Sequence, residues 1–433
     1  MRTMSAVQAG PPAAEVLTAW VRDARARTLR VVADIAGDRW FGPRLAIVNP
    51  LLWEIGHVAW FQERWVLRVP LGRPPLLADA DGLYSSADIP HDVRWELRLP
   101  DPDRTIAYLE RVRDAVVEAI ESGPLTERLV YFVQLAVFHE DMHDEAILYT
   151  RQTLGYPPPH GVFAAPPPDG GALGGDAEIP GGEFLLGARR SFGFVFDNEK
   201  WEHPVRVRPF RIARAPVTQA EFAAFVEEQG YRRREFWSPE GWRWRERSGA
   251  EHPVYWRREG GRWYRRDFDR WVPLEPHRPV IHVNAYEAEA YCAWAGRRLP
   301  TEAEWELAAC GYEGKPRFPW GDATPDSGRA NLDMNFGGCA DVAAHAAGDS
   351  PFGCRQMIGN VWEWTASVFA PYPGFEPDPY KEYSQPWFHT HRVLRGGAWA
   401  TRARLIRTTW RNFYMPDRRD VWAGFRTCAA GGS

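Results

Sequence analysis

The chain has 433 residues, with 53 Lys and Arg against 57 Asp and Glu, so its net charge is −4. That balance excludes a general nucleic-acid binder, which needs a positive face for the phosphate backbone, and no apolar run approaches the roughly 18 residues of a membrane span. Five cysteines, odd in number and without a CxxC pair, and the lack of an apolar leader point to a reducing cytoplasm.

Residues 13–36, rich in Ala, Leu, Val and Arg and free of Pro, predict a first helix. A second, 49–68, opens at Asn49-Pro50, and a third, 101–121, at Asp101-Pro102. A fourth, 124–155, follows Gly123-Pro124 and stops at Gly155, ahead of Pro157-Pro158-Pro159. Four such helices predict a four-helix bundle over 1–156. The loop 69–100 between the second and third is long, a feature common at functional sites. A Pro/Gly-rich linker follows over 157–180. From 181 to 433 short apolar runs alternate with Gly, Pro, Asn and Asp turns. Helices are predicted there at three capping boxes: Thr218 with Glu221 (218–229), Asn284 with Glu287 (284–295) and Thr301 with Glu304 (301–310). The stretch 231–275 is dense in Trp and Arg. With Gly260-Gly261 between two runs it reads as a surface hairpin with stacked Arg and Trp, preferred over a single-strand nucleic-acid platform. The whole is an α+β multidomain chain whose 22 Trp, 22 Phe and 15 Tyr favour rigid aromatic pockets.

His139 and His143 lie four apart on the fourth helix, so their imidazoles share the face that carries Phe132, Ala136 and Ala146. His57 shares a stripe with Trp53, Trp60 and Phe61. Three inward imidazoles on two bundle helices point to a metal site. Three chemistries fit. His139-Glu140-x-x-His143 matches the zinc-protease helix with Glu140 as base, without the longer metzincin extension. Glu54-x-x-His57 and Glu140-x-x-His143 match a di-iron bundle, given an inward carboxylate from Glu15, Glu110 or Glu118. A mononuclear site of His57, His139 and His143 suits Zn, Fe, Ni or Cu better than Mg or Ca.

Four strings in the second half carry a resemblance: Leu299-Pro300-Thr301-Glu302-Ala303-Glu304-Trp305-Glu306, Gly359-Asn360-Val361-Trp362-Glu363-Trp364-Thr365, Val393-Leu394-Arg395-Gly396-Gly397-Ala398-Trp399 and Ala423-Gly424-Phe425-Arg426. Over about 180–428 the chain resembles the formylglycine-generating (sulfatase-modifying) fold, a C-type-lectin-like domain. The catalytic Cys pair of those enzymes has no counterpart in Thr401 to Asp420. The first half resembles the DinB-like bundle, whose motif matches His139-x3-His143-x-Glu145. In this order the two domains resemble the ergothioneine-type sulfoxide synthases and their relative, selenoneine synthase. The resemblance implies Fe(II) held by His57, His139 and His143, O2 as oxidant, and hercynine (trimethylhistidine) as the acceptor of sulfur or selenium at imidazole C2. It also implies an orienting carboxylate, Glu145 or Glu140, and a substrate pocket between the domains. The family's substrate string aligns with Arg411 to Arg419, placing Asn412, Phe413 and Arg418 as contacts. An acidic donor-binding position falls at Tyr414, and a hercynine-contacting Gln falls at Met142. Those departures turn the expected donor from γ-glutamylcysteine towards a selenosugar, with cysteine open. The family's proton-donating Tyr is placed at Tyr372, and Arg94, with Arg98, is expected to reach an anionic donor. The rivals are a DinB-type zinc hydrolase or thiol transferase, and a lectin-like binding module whose histidines merely fill a core.

Overall fold

Leu17, Val21, Ala24, Thr28 and Val31 recur at helical spacing and are all buried. They form the inward stripe of α1 (Ala14–Val32). In this computed structural model, which describes residues 11–431, the chain forms two compact units that meet at Val162/Phe163. In the first, α1 packs on α4 (Pro102–Ser122) and α5 (Glu127–Leu154), and α2 (Leu51–Gln62) packs on the same two. This is the predicted bundle. Asp101 caps α4 by accepting the Arg104 amide at 2.9 Å, with Pro102 in its first turn. Thr126 caps α5, and Gly155 at φ 65° ends it.

Every residue of α2 is buried. The predicted second helix does not run evenly to 68. It widens after Gln62 into a π-helical turn, Glu63–Arg68, where buried Glu63 accepts the Tyr108 hydroxyl at 2.7 Å. The long loop holds α3 (Ala80–Tyr84) and a 3-10 turn, His91–Trp95. Tyr84 lies over Gly56 so closely that a Cβ there would meet the ring at 2.2 Å. Only glycine lets the loop settle on α2.

Among the described residues, the second unit is built from thirteen short strands and four α-helices. Strands β1 (Asp176–Ile179), β2 (Gly182–Leu186), β3 (His203–Val207) and β4 (Phe210–Ala213) lead into α6 (Gln219–Glu227) and α7 (Pro239–Ser248). Then come β5 (Trp256–Glu259), β6 (Arg262–Asp267), β7 (Arg270–Pro273), α8 (Ala285–Trp294), β8 (Arg297–Arg298) and α9 (Glu302–Cys310). Strands β9 (Trp362–Val368), β10 (Arg392–Arg395), β11 (Asn412–Tyr414), β12 (Ala423–Gly424) and β13 (Cys428–Ala429) complete it. Two four-stranded sheets, β1-β4-β13-β8 and β11-β10-β9-β12, are joined by the pair β2-β3 and the meander β5-β6-β7.

All three predicted capping boxes form, at the starts of α6, α8 and α9. The Trp/Arg stretch does form an exposed hairpin, with Arg257 4.2 Å over Trp271, and a third strand extends it. Its first part is instead helix α7. The overlooked signals were Ser238-Pro239 at the start, where Ser238 accepts the Gly241 amide at 3.1 Å, and Gly249 at the end.

The four family strings meet through buried ion pairs. Glu306 of the first pairs with Arg395 of the third, and Glu363 of the second binds Arg426 of the fourth twice at 2.7 Å. Trp305 donates to Glu363 at 2.8 Å. Asn360 holds the Ala340 amide at 2.7 Å and the Ala340 carbonyl at 3.1 Å. These residues are the frame of the domain. The segment expected as linker is part of it as well: β1 lies within 157–180, and Asp341 accepts the amides of Gly170 and Gly171 at 3.0 and 2.9 Å.

Candidate metal centre

His57, in the middle of α2, meets His139 and His143 of α5 in the bundle interior. One ring nitrogen from each lies within 4.8 Å of the others. His139 Nε2 and His143 Nε2 are 3.1 Å apart. His57 and His139 are buried, whereas the His143 side chain keeps 20% exposure, so the group opens to solvent on one side.

The far nitrogens fix the tautomers. His57 Nδ1 lies 2.8 Å from the Tyr84 carbonyl, which only accepts, so Nδ1 carries the proton and Nε2 keeps its lone pair. His143 Nδ1 lies 2.5 Å from Glu54 Oε1, with the same result. Two imidazoles thus turn bare nitrogens toward one point, as metal-bound histidines do. Aromatic rings hold the orientation: Trp53 stacks on His57 at 4.8 Å and 10°, and Phe61 on His139 at 3.5 Å and 5°. The predicted stripe of Trp53, Trp60 and Phe61 around His57 is therefore the wall of the site.

Burial, reinforced by the His143 charge, pushes His57 down to about 3. Burial likewise holds His139 well below its ordinary value. Burial would raise the Glu54 carboxyl, but the charge and hydrogen bond of His143 outweigh it and hold Glu54 at about 2. His57 and His139 are thus neutral nitrogen donors, and an ionised carboxylate stands behind His143. That donor set fits a borderline transition metal such as Fe(II) or Zn(II).

Two of the three readings of the histidines fail on their carboxylates. Glu140 faces α1, bound to Arg25 at 2.9 Å and Thr28 at 2.8 Å, so it is no general base and does not orient a ligand. The di-iron reading needs an inward Glu15, Glu110 or Glu118, and all three are exposed. Glu54, which that reading made a ligand, is the carboxylate on the far nitrogen of His143. It takes the place expected of Glu140.

Arg94, expected to reach a substrate, is buried. It lies 3.9 Å over Trp53 and donates to Asn49 Oδ1 at 2.7 Å. Met142, on α5 beside His143, is half-buried. Asn412, Phe413 and Tyr414 form half-buried β11, with Phe413 stacked on Phe369 at 4.1 Å. Arg418, expected to bind a substrate carboxylate, already holds Asp420 through two bonds of 2.7 Å. Tyr372 is no surface-loop residue. It lies in the core of the second unit, under Arg411 at 4.0 Å, with its hydroxyl 3.4 Å from Glu302. Burial raises that hydroxyl well above the usual tyrosine range. All five cysteines are free and buried. No helix among the described residues is long and apolar enough to cross a membrane.

Residues 21–147 match the DinB superfamily, and residues 165–430 match the sulfatase-modifying factor enzyme 1-like domain. A hercynine oxygenase of Mycolicibacterium thermoresistibile is 40% identical, covering 93% of this chain and 92% of its own. One of Mycolicibacterium smegmatis is 38% identical, covering 93% and 96%. A formylglycine-generating enzyme of Streptomyces coelicolor is 33% identical over 59% of this chain and 88% of its own. A DinB bundle with a converging histidine triad, followed by a sulfatase-modifying-factor domain and matched end to end at this identity, places the chain in the hercynine oxygenase family of ergothioneine-type sulfoxide synthases, and it is an oxidoreductase of that family.

Proposed function

We propose that the protein is an O2-dependent mononuclear iron enzyme that replaces the C2 hydrogen of the hercynine imidazole with a selenium or sulfur atom, with a selenosugar as preferred donor. One observation carries the reading: three imidazole nitrogens converge within 4.8 Å, and two of them are turned by hydrogen bonds behind the ring. His57, His139 and His143 would hold Fe(II). When bound, Fe(II) supplies open coordination positions for the reactants and electrons for O2.

The protein's own residues do the rest. Tyr84 and Glu54 fix the ligand tautomers, while Trp53 and Phe61 exclude water from two sides of the triad. Hercynine carries a trimethylammonium group that donates no hydrogen bond, so an aromatic face is its natural partner. Phe413, braced by Phe369, offers one, with Asn412 beside it for the carboxylate. Tyr414 brings a neutral side chain where peptide-donor relatives are expected to carry an acid, which supports a donor without a free amino group, and Met142 stands where they are expected to carry an amide against hercynine. Arg418 serves this site indirectly, bracing Tyr414 from 5.4 Å while it holds Asp420. Tyr372 is left out of proton transfer because its hydroxyl faces Glu302.

The test is a product mass. The Fe(II)-loaded protein is given hercynine and O2, with a selenosugar, cysteine and γ-glutamylcysteine competing in one tube. The expected product is a hercynine adduct with the selenium isotope pattern. A sulfoxide adduct of cysteine or γ-glutamylcysteine would overturn the donor assignment, and untouched hercynine would overturn the acceptor.

A further inference from the structure

Between the 3-10 turn at His91–Trp95 and α5 runs an unbroken chain of polar contacts. Arg94 Nη1 donates to Asn49 Oδ1 at 2.7 Å, Asn49 Nδ2 donates to Glu54 Oε2 at 2.6 Å, and Glu54 Oε1 accepts from His143 Nδ1 at 2.5 Å. Each step has one possible polarity. A guanidinium only donates and a carboxylate only accepts, so the Asn49 amide, held between them, cannot be flipped. Both Glu54 oxygens are thereby assigned, one to Asn49 and one to the histidine.

A second line leaves the same guanidinium. Arg94 lies 3.9 Å over the Trp53 ring, and Trp53 stacks on His57 at 4.8 Å. The Trp53 indole donates to the Leu83 carbonyl at 2.8 Å, and the next residue, Tyr84, supplies the carbonyl bound to His57 Nδ1. Arg94 Nη2 is turned to the carbonyls of Ile89 and Ser86, at 3.3 and 3.5 Å.

We propose that Arg94 is a positioning residue of the metal centre, setting His143 through Asn49 and Glu54 and His57 through Trp53, and that it is not a contact for an anionic substrate. This rests on the reading of the three histidines as a metal site. Without Arg94, Asn49 is free to turn its oxygen toward Glu54, and the hold on the His143 proton weakens. Loss of such outer partners ordinarily costs about 10–100-fold in metal affinity.

The experiment measures Co(II) and Fe(II) affinity by competition titration, the visible spectrum of the Co(II) protein, and donor KM at saturating Fe(II). It compares the full-length wild type with Arg94→Gln, Asn49→Asp and His143→Ala. Asn49→Asp keeps the shape of a half-buried side chain while placing a second carboxylate against Glu54, so it carries the test if Arg94→Gln folds poorly. The expected result is about 10–100-fold weaker metal binding in both Arg94→Gln and Asn49→Asp. The Co(II) bands should shift, with apo melting temperature and donor KM near wild type. Unchanged affinity and spectrum with a tenfold higher donor KM in Arg94→Gln would overturn the proposal and restore Arg94 as a substrate contact. Wild-type protein that binds neither metal would instead overturn the metal site itself.

Discussion

The two units differ in how they bury polar side chains. In the sheet unit four fully buried arginines sit against carboxylates: Arg395 with Glu306, Arg407 with Glu199, Arg411 with Glu302 and Arg426 with Glu363. The bundle does the same with Arg25 and Glu140, yet a few residues away it brings three imidazoles together with like groups facing each other. The first arrangement is electrically closed and needs nothing further. The second is a set of donors that could hold a metal ion. Number of buried polar groups therefore says little about function, whereas a cluster of one chemical kind says much.

This contrast can be broken at either end. The largest effect is expected from His143→Ala, which opens the triad. Bound metal and hercynine-dependent turnover should both be lost, checked by elemental analysis and product mass. Next is Arg426→Met, which strands the buried Glu363 carboxylate. Removing one partner of such a pair costs about 3–5 kcal/mol, visible as a lower denaturant midpoint. Gly56→Ala should come third. Its methyl would sit 2.2 Å from the Tyr84 ring, and overpacking of this kind costs about 1–3 kcal/mol. Metal affinity should fall with it, because Tyr84 holds His57. The smallest effect at neutral pH sharpens the contrast through His282, a buried histidine of the sheet unit. Burial, then the charges of Arg265 and Arg266, push it down to about 3. The unfolded chain takes up that proton near its ordinary value and the folded chain does not. Stability should therefore be full above pH 6.5 and fall as pH drops toward 3, by at most about 1.4 kcal/mol per pH unit. A His282→Gln variant should show a flatter melting temperature against pH across that window.

Much of this was legible in the chain. Caps are local chemistry, so Asp101, Thr218, Asn284 and Thr301 marked their helices correctly. Residue spacing put the three histidines inward. What spacing could not supply was the partner across space. Glu54 sits three residues before His57 and reads as its fellow ligand, but its partner lies 89 residues on, at the far nitrogen of His143. Arg94, in a loop, reads as a solvated or substrate-facing charge until Asn49 and Trp53 are seen beneath it. Helix α7 was hidden because its Trp and Arg content overrode the Ser238-Pro239 start. The burial of Tyr372 was hidden because nothing in a Tyr-Pro-Gly turn discloses that Arg411 and Glu302 close over it.

The seam between the units bears on how the protein can be dissected. Strand β1 pairs with β4 over four residues, Asp176 to Ile179 against Ala213 to Phe210, and so covers one side of β4. A fragment begun at residue 181, where composition suggests the globular part starts, would strip that cover and leave β4 as a bare edge. Such edges recruit strands from other molecules. A fragment begun at Phe163 keeps the edge closed, and the separated sheet unit should stay dispersed at concentrations where the shorter one precipitates.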